Sequence, residues 1–248
     1  MGQFWYILLW LIIAHIIADF PLQTNKVFAA RYKYKYGGLI HVFIHFAVGI
    51  ILLFPYLASW EFWLSFAVVT TLHYFIDTIK KTNIWAFILD QMSHFLLLSG
   101  VALLCCRVTA MNVPDWFGAY YYNLNLLVYI IGYLAAAYVG IIVILFLKPG
   151  ENKDKPPTVY EKTTGALARV ATLTCVILAF NLHWAFAVLI PVPETVRLII
   201  VLSRRNLPHI PYKNIFPRDI IVSFAYTLLL AIPLCVFFAL PTLRCFNP

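Results

Sequence analysis

Charged side chains are scarce in this chain. Asp, Glu, Lys and Arg make up 11% of its 248 residues, against the ~25% typical of soluble domains, which excludes an ordinary soluble globular surface. No C-x-x-C pair occurs among the five cysteines, Cys105, Cys106, Cys175, Cys235 and Cys245. Zinc ribbons and thioredoxin-type motifs are therefore absent, and these residues read as small buried hydrophobes. No basic segment precedes the first apolar run, which starts at Phe4 and contains His15 and Asp19. It is expected to be a retained helix rather than a cleaved signal peptide. The net charge is +8, yet no nucleic-acid motif or compact basic domain goes with it, and nucleic acid is not an expected partner. In a membrane protein, a basic excess reports orientation and contact with anionic lipid.

What the chain has instead is apolar surface. Hydrophobic residues make up 63% and aromatics 17%, and the mean hydropathy is +0.86. This composition predicts an all-α polytopic transmembrane bundle. Apolar windows place spans near 4–23, 37–57, 60–80, 84–107, 124–147 and 218–240. The region 165–203 reads either as one long span or as a hairpin turning near Asn181–His183, for a total of seven or eight helices. The polar stretch KPGENKDKPPTVYEK (148–162) then reads as a cytoplasmic linker. It separates a five-helix unit (1–147) from a C-terminal helical unit (163–248). With eight helices both termini face outward, and every basic residue except Arg107 and Arg244 falls on the cytoplasmic side. Seven helices give a weaker asymmetry.

Four of the apolar stretches carry two metal-type side chains four positions apart: His15 and Asp19, His41 and His45, His73 and Asp77, Asp90 and His94. A spacing of four puts both members of a pair on one helix face, one turn apart. Ionisable groups inside a bilayer cost ~2.5–3.5 kcal/mol each on insertion scales and usually mark function. The predicted topology brings all four pairs to a similar depth, ~5–15 Å from the cytoplasmic helix ends. There they sort into a deeper imidazole layer (His15, His45, His73, His94) and a shallower layer (Asp19, His41, Asp77, Asp90). Such facing pairs resemble the logic of bundle-core di-metal sites. The expected cofactor is two divalent transition-metal ions, with zinc favoured and iron or manganese also suited to nitrogen and oxygen donors.

Two divalent ions against three aspartates leave one positive charge. Metal coordination lowers the pKa of water towards ~7, so a neutralising nucleophile would exist at neutral pH. That chemistry suits a metal-dependent hydrolase acting on a lipid-like ester, phosphoester or amide. The same donors fit a divalent-metal transporter or sensor, since eight protein ligands would saturate two ions. They also fit a di-iron membrane oxidase or hydroxylase. A buried His/Asp network or proton relay is the structural alternative.

Around these pairs, Gln23 and Gln91 are placed to orient carboxylates, and Lys80 to pair with Asp77, meet substrate phosphate or snorkel to the interface. RYKYKYGG (31–38) reads as an interfacial anchor for membrane lipids. Glu194 and Arg197, three apart, are expected to satisfy each other. His183 and His209 are given no chemistry.

The series H-x-x-x-D-F-x-L-Q from His15 to Gln23, H-x-x-x-H at His41 and His45, H-x-x-x-D-x-x-K from His73 to Lys80, and D-Q-x-x-H from Asp90 to His94 resembles a known family. It is the prokaryotic integral-membrane family catalogued as domain of unknown function 3307. G-x-L-x-R at Gly165–Arg169 is a looser likeness. The resemblance implies a location in the prokaryotic cytoplasmic (inner) membrane. It carries no established reaction.

Overall fold

A computed structural model describes residues 2–34, 36–78, 83–147, 158–204 and 216–239, and among them every regular element is helical. The chain divides into two compact units, Met1–Ile131 and Gly132–Arg244.

The first unit is built on α1 (Gly2–Asp19), α3 (Gly37–Leu52), α4 (Trp60–Ile76) and α5 (Ile84–Cys105), with short helices α2 (Asn25–Lys33) and α6 (Asp115–Tyr121). The four long helices pack in a ring, each against the next: α1 on α3, α3 on α4, α4 on α5 and α5 on α1. Each turns one stripe inward. On α4 the buried residues Phe62, Ser65, Phe66, Val69 and His73 recur at helical spacing, and on α5 Phe87, Asp90, His94, Leu98, Val101, Ala102 and Cys105 do the same. The stripes meet in a core of Ile7, Leu11, Phe62, Phe66, Leu98 and Val101 among others. Each of the four pairs continues such a stripe, so packing the apolar core also brings the polar groups together.

Local chemistry sets the helix ends. Asn83 caps α5 by accepting from Ala86 N at 2.9 Å, and Ser59 caps α4 through Phe62 N at 3.3 Å. Three ends depart from the sequence expectation, those of α1, α3 and α4. The first helix stops at Asp19 rather than near residue 23, because Pro21 disfavours helical geometry at Phe20. The second stops at Leu52 rather than 57, where Pro55 enters a 3₁₀ turn, Phe54–Tyr56. α4 ends at Ile76 with Asp77 as its C-cap. Asp19 and Asp77 therefore sit at helix ends, not within a span.

Gly49 on α3 lies under the Phe66 ring, which occupies the space a Cβ would need. Gly49→Ala is expected to destabilise the protein by about 1–3 kcal/mol through overpacking, read as a lowered midpoint in detergent-solubilised thermal unfolding.

The second unit contains α7 (Leu124–Leu134, whose last three residues fall in it), a π-helical turn (Ala135–Val139) and α8 (Gly140–Leu147), which run on as one rod. They are followed by α9 (Val159–Asn181), a 3₁₀ segment (Trp184–Leu189), α10 (Val192–Arg204) and α11 (Pro217–Ala239). α9 starts with a capping box in which Glu161 N donates to Thr158 Oγ1 at 3.2 Å and Thr158 N to Glu161 Oε2 at 2.7 Å. The chain turns at 181–183, so the region left open in the sequence is a pair of helical segments. His183 accepts from Ala185 N at that turn, a capping role. The proposed linker lies outside the described residues up to 157, and its last five residues form the N-cap and first turn of α9. Lys80 and His209 also lie outside the described residues.

Among the described residues, five segments are long and apolar enough to cross a membrane: Ile84–Cys105, Leu124–Leu147, Val159–Asn181, Trp184–Ser203 and Pro217–Phe237. α1 and α3 are also apolar but shorter. Cys105, Cys106, Cys175 and Cys235 are free thiols.

Candidate metal centre

Seven of the eight metal-type side chains are buried, and the eighth, His45, is 11% exposed at its side chain. All eight converge where α1, α3, α4 and α5 meet. Asp19 and Asp77 are the hubs. Asp19 Oδ1 lies 3.0 Å from His41 Nε2 and 3.0 Å from His45 Nε2, while its Oδ2 is 3.3 Å from His15 Nε2. Asp77 Oδ2 is 3.0 Å from His41 Nε2 and 3.1 Å from His73 Nε2, and its Oδ1 is 3.9 Å from His94 Nε2. The imidazoles crowd one another as well, with ring centroids 3.9 Å apart for His45 and His73 and 4.7 Å for His15 and His94.

Three overlapping groups result: His15, Asp19, His45 and His73; Asp19, His41, His73 and Asp77; and Asp77, Asp90 and His94. Within each, one donor atom per residue lies within 4.8 Å of all the others. Ligands ~2.0–2.2 Å from a tetrahedral ion sit about 3.3–3.6 Å apart, so these groups need little movement to close on one. The groups draw on both sequence-derived layers rather than keeping imidazole and carboxylate apart.

The contact angles carry further information. His15, His73 and His94 each have a buried Nε2 with no hydrogen-bond partner, although carboxylate oxygens lie 3.1–3.9 Å away. Close approach without hydrogen-bond geometry is what donor atoms show when they aim at a shared point rather than at each other. His94 is held for this by its other nitrogen. Nδ1 sits 2.8 Å from the Asp90 carbonyl oxygen, which can only accept, so Nδ1 carries the proton and Nε2 presents its lone pair inward.

Gln23 reaches His41 Nδ1 through its amide nitrogen at 3.2 Å. In that setting the His41 proton sits on Nε2, which lies 3.0 Å from one oxygen of each aspartate. Turning the amide over presents Oε1, moves the proton to Nδ1 and frees Nε2 as a ligand. Gln91 Nε2 donates to Asp90 Oδ2 at 2.9 Å. Gln91 thus meets a carboxylate, as its place beside Asp90 suggested, whereas the contact of Gln23 is with an imidazole.

Field and shape agree with a cation. Asp19 ends α1 and Asp77 caps the C-terminus of α4. A carboxylate at a helix C-terminus faces the negative end of the dipole, which makes both ends cation-attracting. Beside His15, His45 and His73 lies a small cavity of about 30 Å³, walled by Thr70 and by apolar Leu11, Phe66 and Leu98. It has room for ~1–2 water molecules. A larger open cleft of about 740 Å³, at Gln3, Asn112, Asp115 and Asn123, contains no histidine or cysteine and does not touch the eight residues.

Residues 7–121 match the profile of the family described as protein of unknown function (DUF3307), and over that stretch the chain is similar to it. All eight metal-type residues fall within the match. No curated protein and no solved structure matches the chain.

Proposed function

We propose that this is an integral membrane protein that uses a dinuclear transition-metal centre, zinc favoured, to hydrolyse an ester, phosphoester or amide of a lipid-like substrate near the cytoplasmic leaflet. The observation that carries the reading is the convergence of five imidazoles and three carboxylates in three groups that share Asp19, His73 and Asp77. A dinuclear site needs shared groups between its ions, and carboxylates commonly bridge. The small cavity supports catalysis, because a catalytic ion keeps one position open to water or substrate. Its apolar wall suits an acyl or isoprenoid chain. Bound metal would activate water and polarise the substrate oxygen, while the protein fixes the ligands and excludes bulk solvent.

Elemental analysis of purified protein, paired with hydrolysis assays on lipid esters, phosphoesters and amides in nanodiscs, tests this. About two equivalents of zinc and chelator-sensitive hydrolysis are expected. Well under one equivalent of any transition metal would sink it. Stripping the ions should also lower the unfolding midpoint, because binding at ~100 times Kd contributes about 2.7 kcal/mol.

The eight protein donors favour a second reading, a divalent-metal transporter or sensor, because two ions could be saturated without substrate. Metal-dependent flux in proteoliposomes without hydrolysis would select it.

A further inference from the structure

The second unit contains a buried cluster that the metal reading does not use. We propose that it forms an oxyanion site, in which the free edge of the Arg197 guanidinium grips a phosphate or carboxylate group.

Arg169, Arg197, Glu194 and Ser223 are all buried, Arg169 at 0% exposure and Arg197 at 3%. Arg169 is satisfied: Nε donates to Ala136 O, Nη2 to Ala137 O at 2.9 Å and Nη1 to Ser223 Oγ at 3.3 Å. Arg197 is not. Its Nη1 donates to Glu194 Oε2 at 3.1 Å and to Ser223 Oγ at 3.3 Å, but Nε and Nη2 have no partner although both are buried. The i,i+3 pair seen in the sequence therefore forms without satisfying the arginine.

Those two nitrogens lie on the same edge of the guanidinium. Together they make the parallel two-donor fork that matches two oxygens of a carboxylate or phosphate. Glu194 is already engaged, as its Oε1 accepts from Ser223 Oγ at 2.6 Å. Charge points the same way, because two arginines face one glutamate across this cluster. Of the other buried carboxylates described in this unit, Glu161 closes the start of α9 and Asp219 accepts from Phe216 N at 2.9 Å. Buried polar groups are normally hydrogen-bonded, and the Nε and Nη2 edge of Arg197 is not.

Gly165 makes the arrangement possible. A Cβ there would stand 2.8 Å from Arg197 Nη2 and 3.1 Å from Arg169 Nη1, so a larger residue would press on both guanidiniums where they lie against α9.

The anion could be free phosphate or the headgroup of an anionic lipid, and the test separates them. Full-length protein in neutral detergent would be titrated with inorganic phosphate against a chloride control. In parallel, protein in phosphatidylcholine nanodiscs with or without phosphatidic acid would be examined by native mass spectrometry for retained lipid. Saturable binding of one anion per chain is expected in at least one arm. Phosphate binding in detergent identifies a soluble anion, and retention of phosphatidic acid alone identifies a lipid. Arg197→Lys keeps the charge but loses the fork and should weaken binding about tenfold or more. Gly165→Ala should do the same by displacing both guanidiniums. Absence of saturable binding to the wild-type protein in both arms would overturn the proposal, whatever the variants do. So would binding that Arg197→Lys leaves unchanged in a folded protein.

Discussion

Alanine in place of Asp77 is expected to empty the metal centre, while alanine in place of Asp90 should remove only part of it. Asp77 belongs to two of the three donor groups and Asp90 to one. Asp77 also approaches His41, His73 and His94 from three different helices. Removing it takes away a carboxylate shared between adjacent positions and leaves the remaining imidazoles facing two positive ions. Loss of even an outer hydrogen-bond partner commonly costs 10–100-fold in metal affinity, so loss of a shared ligand should cost at least about a hundredfold. Competition with a chelator of known affinity, followed by elemental analysis, reads this directly. Asp19→Ala should resemble Asp77→Ala, since Asp19 is also common to two groups. Equal metal content in the Asp77→Ala and wild-type proteins would show that no ion sits at these hubs.

Arg169→Leu is expected to destabilise the protein by about 3–5 kcal/mol. Two carbonyls of the π turn, Ala136 O and Ala137 O, take their hydrogen bonds from this one side chain. A buried acceptor left without a donor costs ~1–3 kcal/mol, and here two lose theirs together with a contact to Ser223. Relief of the repulsion between Arg169 and Arg197 offsets part of the loss. Lysine would not rescue it, because a single ammonium cannot span both carbonyls as the planar guanidinium does. Equilibrium unfolding in mixed micelles measures the difference. A cost below ~1 kcal/mol would mean that the carbonyls find other donors.

The eight metal-type residues were legible because helical periodicity survives in the sequence. Four positions is one turn, and each pair extends a stripe of apolar residues. The identity of the hubs was not legible. Nothing in the spacing distinguishes Asp19 and Asp77 from Asp90, because sharing depends on how four separate helices close around one point. Pro21 and Pro55 did announce the early helix ends, whereas hydropathy alone carried the expected spans past them. In the second unit, the arginine network was largely hidden. Glu194 and Arg197 could be paired from their spacing, but Ser223 joins them from another helix, and the acceptors that hold Arg169 are backbone atoms of alanines. The sequence AAAYV carries no mark of a π turn. Arg169 and Arg197, counted as loop charges in the topology argument, lie inside helices and are buried, so they report a site rather than sidedness.

The widened turn at Ala135–Val139 has a geometric consequence of its own. A π turn stores one extra residue, and an α-helix advances about 100° per residue. If the turn relaxed to ordinary α-helix, α8 would swing by about that angle in phase, carrying Ile144 out of the core where it is now 1% exposed. Arg169 and Tyr226, whose hydroxyl donates to Ala135 O at 3.1 Å, therefore act as a latch on helical phase. Two side chains from separate helices determine which face of α8 looks inward.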